Sequence, residues 1–136
     1  MTASQIEISA DHARLDVATI HAFLTTSYWA AGRSREVVER SIRHSLCFGA
    51  YDGPIQVGFG RVITDQAVFA YLADVFVVPG HRGVGLGRRL VATMIDEGPG
   101  ADFRWVLATD DAHDLYREFG FCEPDSTIMV RPTRQA

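Results

Sequence analysis

The chain has 136 residues, 47% hydrophobic and 22% charged, with 13 basic side chains against 17 acidic for a net charge of −4. That length allows one domain, residues 1–136, with a real core, and the acidic balance argues against general affinity for nucleic acid or an anionic membrane. No apolar run approaches the ~18 residues of a membrane span and no leader pattern opens the chain, so a cytoplasmic location is expected.

Gln5 to Ser9 alternates and reads as an opening strand. Asp11 is placed to cap a helix whose Leu15, Ala18, Ala22 and Phe23 fall at helical spacing. Ser27 to Gly32 breaks that pattern, and Ser34 caps a second helix carrying Val37, Val38, Ile42 and Leu46. Cys47 to Tyr51 is a short strand, Asp52-Gly53 a hairpin turn and Ile55 to Thr64 the next strand. Ala67 to Val78 forms the long central strand, followed by a helix from Gly83 to Glu97 that Gly98-Pro99-Gly100 stops. Phe103 to Thr109 is a strand with Phe103, Trp105 and Leu107 on one face. Asp110 or Asp111 caps a last helix striped by Ala112, Leu115, Tyr116 and Phe119. Gly120 ends it, and Thr127 to Arg131 offers a final strand. This β-α-α-β-β-β-α-β-α-β order predicts an α/β fold: one central mixed sheet with helices on both faces and a parallel crossover from Ala67 to Thr109. Phe48, Phe59 and Phe69 read as core, and Cys47 and Cys122 as buried free thiols.

The chemistry concentrates between the central strand and the helix that follows it. Val75 to Val78 feeds through Pro79-Gly80-His81 into Arg82-Gly83-Val84-Gly85-Leu86-Gly87-Arg88-Arg89. Glycines at alternate positions there leave main-chain N–H groups bare where the helix dipole is positive, a cradle for an anion and most often a phosphate. The dinucleotide fingerprint fails because Arg88 stands where its third glycine belongs. A P-loop fails because Leu86 and Gly87 replace its lysine and hydroxyl. Three guanidiniums around a helix N-terminus suit a pyrophosphate held without a metal ion.

Arg82-Gly83-Val84-Gly85-Leu86-Gly87, between a Val-x-Val strand and a helix, resembles the coenzyme motif of the GNAT superfamily of acetyl-CoA-dependent N-acetyltransferases. Leu115-Tyr116-Arg117-Glu118-Phe119-Gly120-Phe121 is similar to a second motif of the family, Leu-Tyr-x-x-x-Gly-Phe, and it follows in the right order. The resemblance covers nearly the whole chain and implies the GNAT fold, with its mostly antiparallel sheet, and acetyl-CoA as cosubstrate without a metal. Gly83, Val84, Gly85, Leu86, Gly87, Arg82 and Arg88 would hold the diphosphate. The pantetheine arm would lie along Phe76-Val77, with the Val77 N–H facing the thioester carbonyl. Tyr116 matches the family's general acid, although its place in an apolar stripe also suits core packing.

Two readings of Asp74 stand open. In a strand among apolar neighbours, desolvation can raise its pKa and make it a general base; equally, it can pair with an arginine such as Arg61. The family often deprotonates its amine through water. Tyr28, Trp29 and Arg33 occupy the helix break that lines the family's acceptor pocket, and Arg33 is positioned to attract a carboxylate on the substrate. The expected partner is thus a small-molecule or amino-acid-like amine, with no nucleic acid and no membrane. Acetylation of a protein N-terminus or lysine, and a non-catalytic acyl-CoA sensor, are the competing readings. A homodimer is common in the family, and Thr127 to Arg131 could supply its edge strand.

Overall fold

Tight turns and alternating apolar residues make consecutive strands pair in chain order, while a strand pair bridged by a helix must run parallel. In the computed structural model, which describes residues 5–133, both rules operate. Strands β1 (Glu7–Ser9), β2 (Leu46–Asp52), β3 (Ile55–Thr64), β4 (Phe69–Val77) and β5 (Arg104–Val106) form one sheet in that order. The first three pairings are antiparallel and β4–β5 is parallel. Helices α1 (Val17–Leu24) and α2 (Arg35–Arg43) precede β2, α3 (Leu86–Ile95) makes the crossover, and α4 (His113–Arg117) follows β5.

The helices divide between the two faces. Leu90, Val91 and Met94 of α3 and Tyr116 of α4 pack with Phe48, Val62, Ala70 and Leu72 on one side. Ile20 and Leu24 of α1 and Val38 and Ile42 of α2 pack with Phe59 and Phe76 on the other. The stripes expected of the last two elements are on the inside: Phe103, Trp105 and Leu107, then Ala112, Leu115 and Phe119, all pack on the α3 side.

Several expectations need correction. Asp11 caps only a 3-10 turn over His12–Arg14, and Asp16 caps α1 by accepting from the Thr19 N–H at 3.1 Å. Neither Asp110 nor Asp111 caps α4; the Thr109 hydroxyl accepts from the Ala112 N–H at 3.1 Å instead. Helix α3 starts at Leu86 rather than Gly83, because Gly83 and Gly85 have φ of +84° and +82° and cannot continue a right-handed helix. Thr127 to Arg131 is not a strand, and Met129 and Val130 lie exposed. Phe69, the first residue of β4, is 40% exposed, and Cys122 is exposed while Cys47 is buried.

One irregularity positions the site. Phe59 pairs with Phe76 and Arg61 with Ala73, so β4 carries one residue more than β3 across this span. Asp74 lies in the bulge with φ +56°, a left-handed conformation that Asp tolerates better than most residues. The extra residue shifts the alternation of β4. Leu72 and Val75 pack toward α3, whereas Phe76 packs against α1 and α2, and Asp74 meets the loop that joins those two helices.

Candidate active site

The parallel pairing of β4 with β5 covers only Phe69–Tyr71, so β4 runs on from Leu72 to Val77 with no β5 partner along that edge. The Val78 N–H donates to Val57 O at 2.9 Å. Hydrogen-bonded and non-bonded pairs alternate in an antiparallel ladder, so Val77 opposite Gly58 turns its N–H and C=O away from β3. The Val77 carbonyl is met by Arg82, whose Nε donates to it at 2.8 Å. Its N–H faces the open edge.

Beyond Val77 a 3-10 turn over Pro79–His81 leads into the glycines, and Gly85 caps α3 without any side-chain hydrogen bond. The first helical bond runs from the Arg89 N–H to Gly85 O, so the N–H groups of Leu86, Gly87 and Arg88 have no intrahelical acceptor. At Gly83, Gly85 and Gly87 an added Cβ would meet nothing within 4 Å. Positive φ accounts for the first two glycines. Neither backbone conformation nor packing within the chain accounts for Gly87, which fits a surface kept low for a ligand. Leu86, fully buried against Ile6, Ala50 and Val57, fastens the turn to the sheet. The His81 Nε2 lies 3.1 Å from Asp52 Oδ2, tying the turn to the β2–β3 hairpin. Arg88 reaches across to α4, where its Nη2 donates to Glu118 at 2.8 Å. The turn is therefore braced from three sides while its amides stay open.

Asp74 is held on three sides as well. Its Oδ1 accepts from Trp29 Nε1 at 2.8 Å, and its Oδ2 accepts from Arg33 Nη1 at 2.8 Å and Arg61 Nε at 2.6 Å. Arg61 also donates to the Ser45 hydroxyl at 3.1 Å. Burial pushes this carboxyl up, but the Arg61 hydrogen bond and charge, the Arg33 charge and the Trp29 hydrogen bond outweigh it and hold the pKa below the usual carboxylate range. The direction is opposite to the rise expected for a base. A carboxylate saturated by two guanidiniums is a poor proton acceptor, and the pairing with Arg61 is the arrangement present.

Tyr116 is buried, and its ring meets Phe121 edge-on at 5.8 Å. Burial pushes the phenol up to about 12, with the Tyr28 hydroxyl and the Asp111 carboxylate adding to the shift. Tyr28 itself accepts a hydrogen bond from the Asp110 N–H at 3.0 Å, and its ring packs edge-on against Trp29 at 5.1 Å. The helix break thus brings Tyr28, Trp29 and Arg33 together with Asp74 on one side and with the β5–α4 loop and Tyr116 on the other. Sequence reasoning missed Ser45, Glu118 and the His81–Asp52 pair. Each acts on a partner sixteen or more residues away, and no local spacing signals such contacts.

This geometry invites comparison with known proteins. The family profile described as "Acetyltransferase (GNAT) family" matches residues 15–121. The chain belongs to the GNAT acetyltransferase family. As a GNAT protein it is an acyltransferase. It is 31% identical, over 90% of its own length and 87% of the relative's, to a Gibberella zeae protein provisionally named acetyltransferase FG08082. A crystal structure from Xanthomonas campestris pv. campestris, provisionally assigned as a GNAT acetyltransferase, superposes with a TM-score of 0.90 at 41% identity, covering 94% of this chain and 93% of that one. A Clostridium acetobutylicum protein provisionally assigned as an acetyltransferase and solved with acetyl-CoA shares the fold at TM-score 0.68 and 12% identity, covering 93% and 96% of the two chains. No helix among the described residues of the GNAT chain is long and apolar enough to cross a membrane.

Proposed function

We propose that this GNAT protein moves an acetyl group from acetyl-CoA to the primary amine of a small-molecule or amino-acid-like acceptor, by direct attack on the thioester. One observation carries the reading. The open amides at the start of α3 adjoin a strand edge on which the Val77 N–H is free to meet an incoming carbonyl. The amides of Gly83, Val84, Gly85, Leu86 and Gly87 hold the diphosphate, with the Arg82 guanidinium beside them. The pantetheine arm follows the unpaired edge of β4 at Phe76-Val77. Arg88 contributes charge from its place beside Glu118.

The amine nitrogen attacks the thioester carbon, and the charge that gathers on the carbonyl oxygen is met by the Val77 N–H. Collapse breaks the C–S bond, and the Tyr116 hydroxyl gives its proton to the departing thiolate while the amine's proton leaves through water. With the phenol near 12 and an ordinary thiol near ~8.5, a stepwise transfer would run steeply uphill. The proton therefore moves together with C–S cleavage; burial keeps Tyr116 protonated until that moment, and water carrying the amine's proton restores the phenol afterwards. Asp74 takes no proton; it holds Trp29 and Arg33 in the acceptor wall.

The test is thiol release from acetyl-CoA across a panel of small amines, beside acetylation of peptides. Amine-dependent release with small acceptors supports the reading. Release only with peptides favours a protein acetyltransferase, and tight acetyl-CoA binding with no release in either panel favours a sensor.

A further inference from the structure

The cluster beneath the helix break does not balance its charge. Arg33 and Arg61 share the single carboxylate of Asp74, so two positive groups meet one negative group, and the other contacts are the neutral Trp29 and Ser45. The Asp74 side chain is 3% exposed and that of Arg61 12%, while Arg33 remains 23% exposed. Each guanidinium has five N–H donors, and Arg33 spends one, on Asp74. Among the described residues, only the Tyr51 hydroxyl and His81 Nδ1 are both sealed from solvent and unpartnered. The spare donors of Arg33 are therefore open to solvent. The segment on the other flank of the break has the other sign: Asp110 and Asp111 stand on the β5–α4 loop, whose Asp110 N–H donates to the Tyr28 hydroxyl, and Asp111 lies close enough to influence Tyr116.

From this polarity we infer that the acceptor is zwitterionic, an amine that also bears a carboxylate or phosphate. Its anion docks on the free donors of Arg33, and its ammonium faces the Asp111–Tyr116 side. This rests on the acetyl-transfer reading above and sharpens its substrate class. Arg33 is then the specificity-determining residue, and Asp74 positions it by fixing one edge of the guanidinium so that the other points outward. A lone guanidinium would attract anions too, but without a fixed orientation. The surplus charge of Arg61, held nearly sealed, keeps the cluster positive after Asp74 has been satisfied.

Two arms test the inference, both at constant ionic strength. In the first, inorganic phosphate and acetate are titrated separately while Trp29 fluorescence is followed in a Trp105→Phe background. Trp29 donates to the same carboxylate as Arg33, so its emission reports on the cluster. Saturable binding of at least one anion is expected, weakened tenfold or more by Arg33→Gln, and the stronger anion tells phosphate from carboxylate. In the second, initial rates are compared for an amino acid against its amide and for an amino alcohol against its phosphate monoester. The anionic member of at least one pair should show a KM about tenfold lower. Arg33→Gln should erase that preference while leaving KM for acetyl-CoA unchanged. Absence of anion binding, or equal KM values within both pairs, overturns the inference even if acetyl transfer is robust. Anion binding on Arg33 without turnover of any amine sinks the acetyl-transfer reading and leaves the anion site standing.

Discussion

The hydroxyl of Tyr28 accepts a hydrogen bond from the Asp110 main-chain N–H at 3.0 Å, across 82 residues of sequence. It joins the α1–α2 break to the loop that launches α4, so the wall over the open edge of β4 is tied down at both ends: at Asp74 through Trp29 and Arg33, and at Asp110 through Tyr28. Tyr28→Phe removes the second tie and little else, because the bond lies at the surface. Stability should change by no more than about 1 kcal/mol. Amide exchange should quicken around residues 25–33 and 109–112, and KM for the acceptor should rise while KM for acetyl-CoA holds. Exchange mass spectrometry and initial rates check each part.

Gly87→Ala separates ligand fit from folding. A Cβ there meets nothing within 4 Å, and alanine is the better helix former by up to about 1 kcal/mol. The variant should melt at the same temperature or higher and yet bind acetyl-CoA more weakly, since the methyl group stands where a phosphate must approach the amides. Gly85→Ala should lose stability as well, by roughly 1–2 kcal/mol, because φ is +82° there.

Tyr116→Phe tests the acid. The hydroxyl makes no hydrogen bond to the described residues, so the fold should be retained and acetyl-CoA affinity kept, while kcat falls by about 10²–10⁴. In the native enzyme, a phenol near 12 stays protonated across the working range, and no alkaline loss of kcat below that point should trace to Tyr116.

Alkaline stability follows from buried acids, of which Cys47 and Tyr116 are pushed furthest and the Tyr51 phenol is raised by burial as well. Burial pushes both the Cys47 thiol and the Tyr116 phenol up to about 12, above ordinary values near ~8.5 and ~10. The fold favours the neutral form of each, so their contribution is complete below about pH 8.5. It is lost as pH climbs toward 12, where the unfolded chain ionises first. Cys47→Ala should flatten that decline in denaturant midpoints between pH 9 and 12. An unchanged slope would show that the thiol does not titrate as its burial requires.

How much of this was legible in the residues depends on the range of the interaction. The glycine turn could be read because its chemistry is local: alternating glycines opening a helix mean the same thing wherever the chain goes. The α4 stripe could be read because helical spacing alone put Leu115 and Tyr116 inward. The role of Asp74 could not be settled. Desolvation and arginine pairing pull a carboxyl in opposite directions, and which prevails depends on a one-residue bulge and on Arg33, 41 residues away. The same limit explains the missing last strand. Thr127 to Arg131 has strand composition, but composition does not say whether the segment reaches a sheet edge, and it pairs with none of the described strands.

The most direct measurement compares acetyl-CoA with acetyl-pantetheine, which lacks the diphosphate, by calorimetric titration of the full chain with and without EDTA. If bare main-chain nitrogens at the start of α3 provide the grip, acetyl-CoA should bind at least a hundredfold more tightly, and EDTA should change nothing. Equal affinity for the two ligands, or loss of acetyl-CoA binding when metal is stripped, would contradict the account.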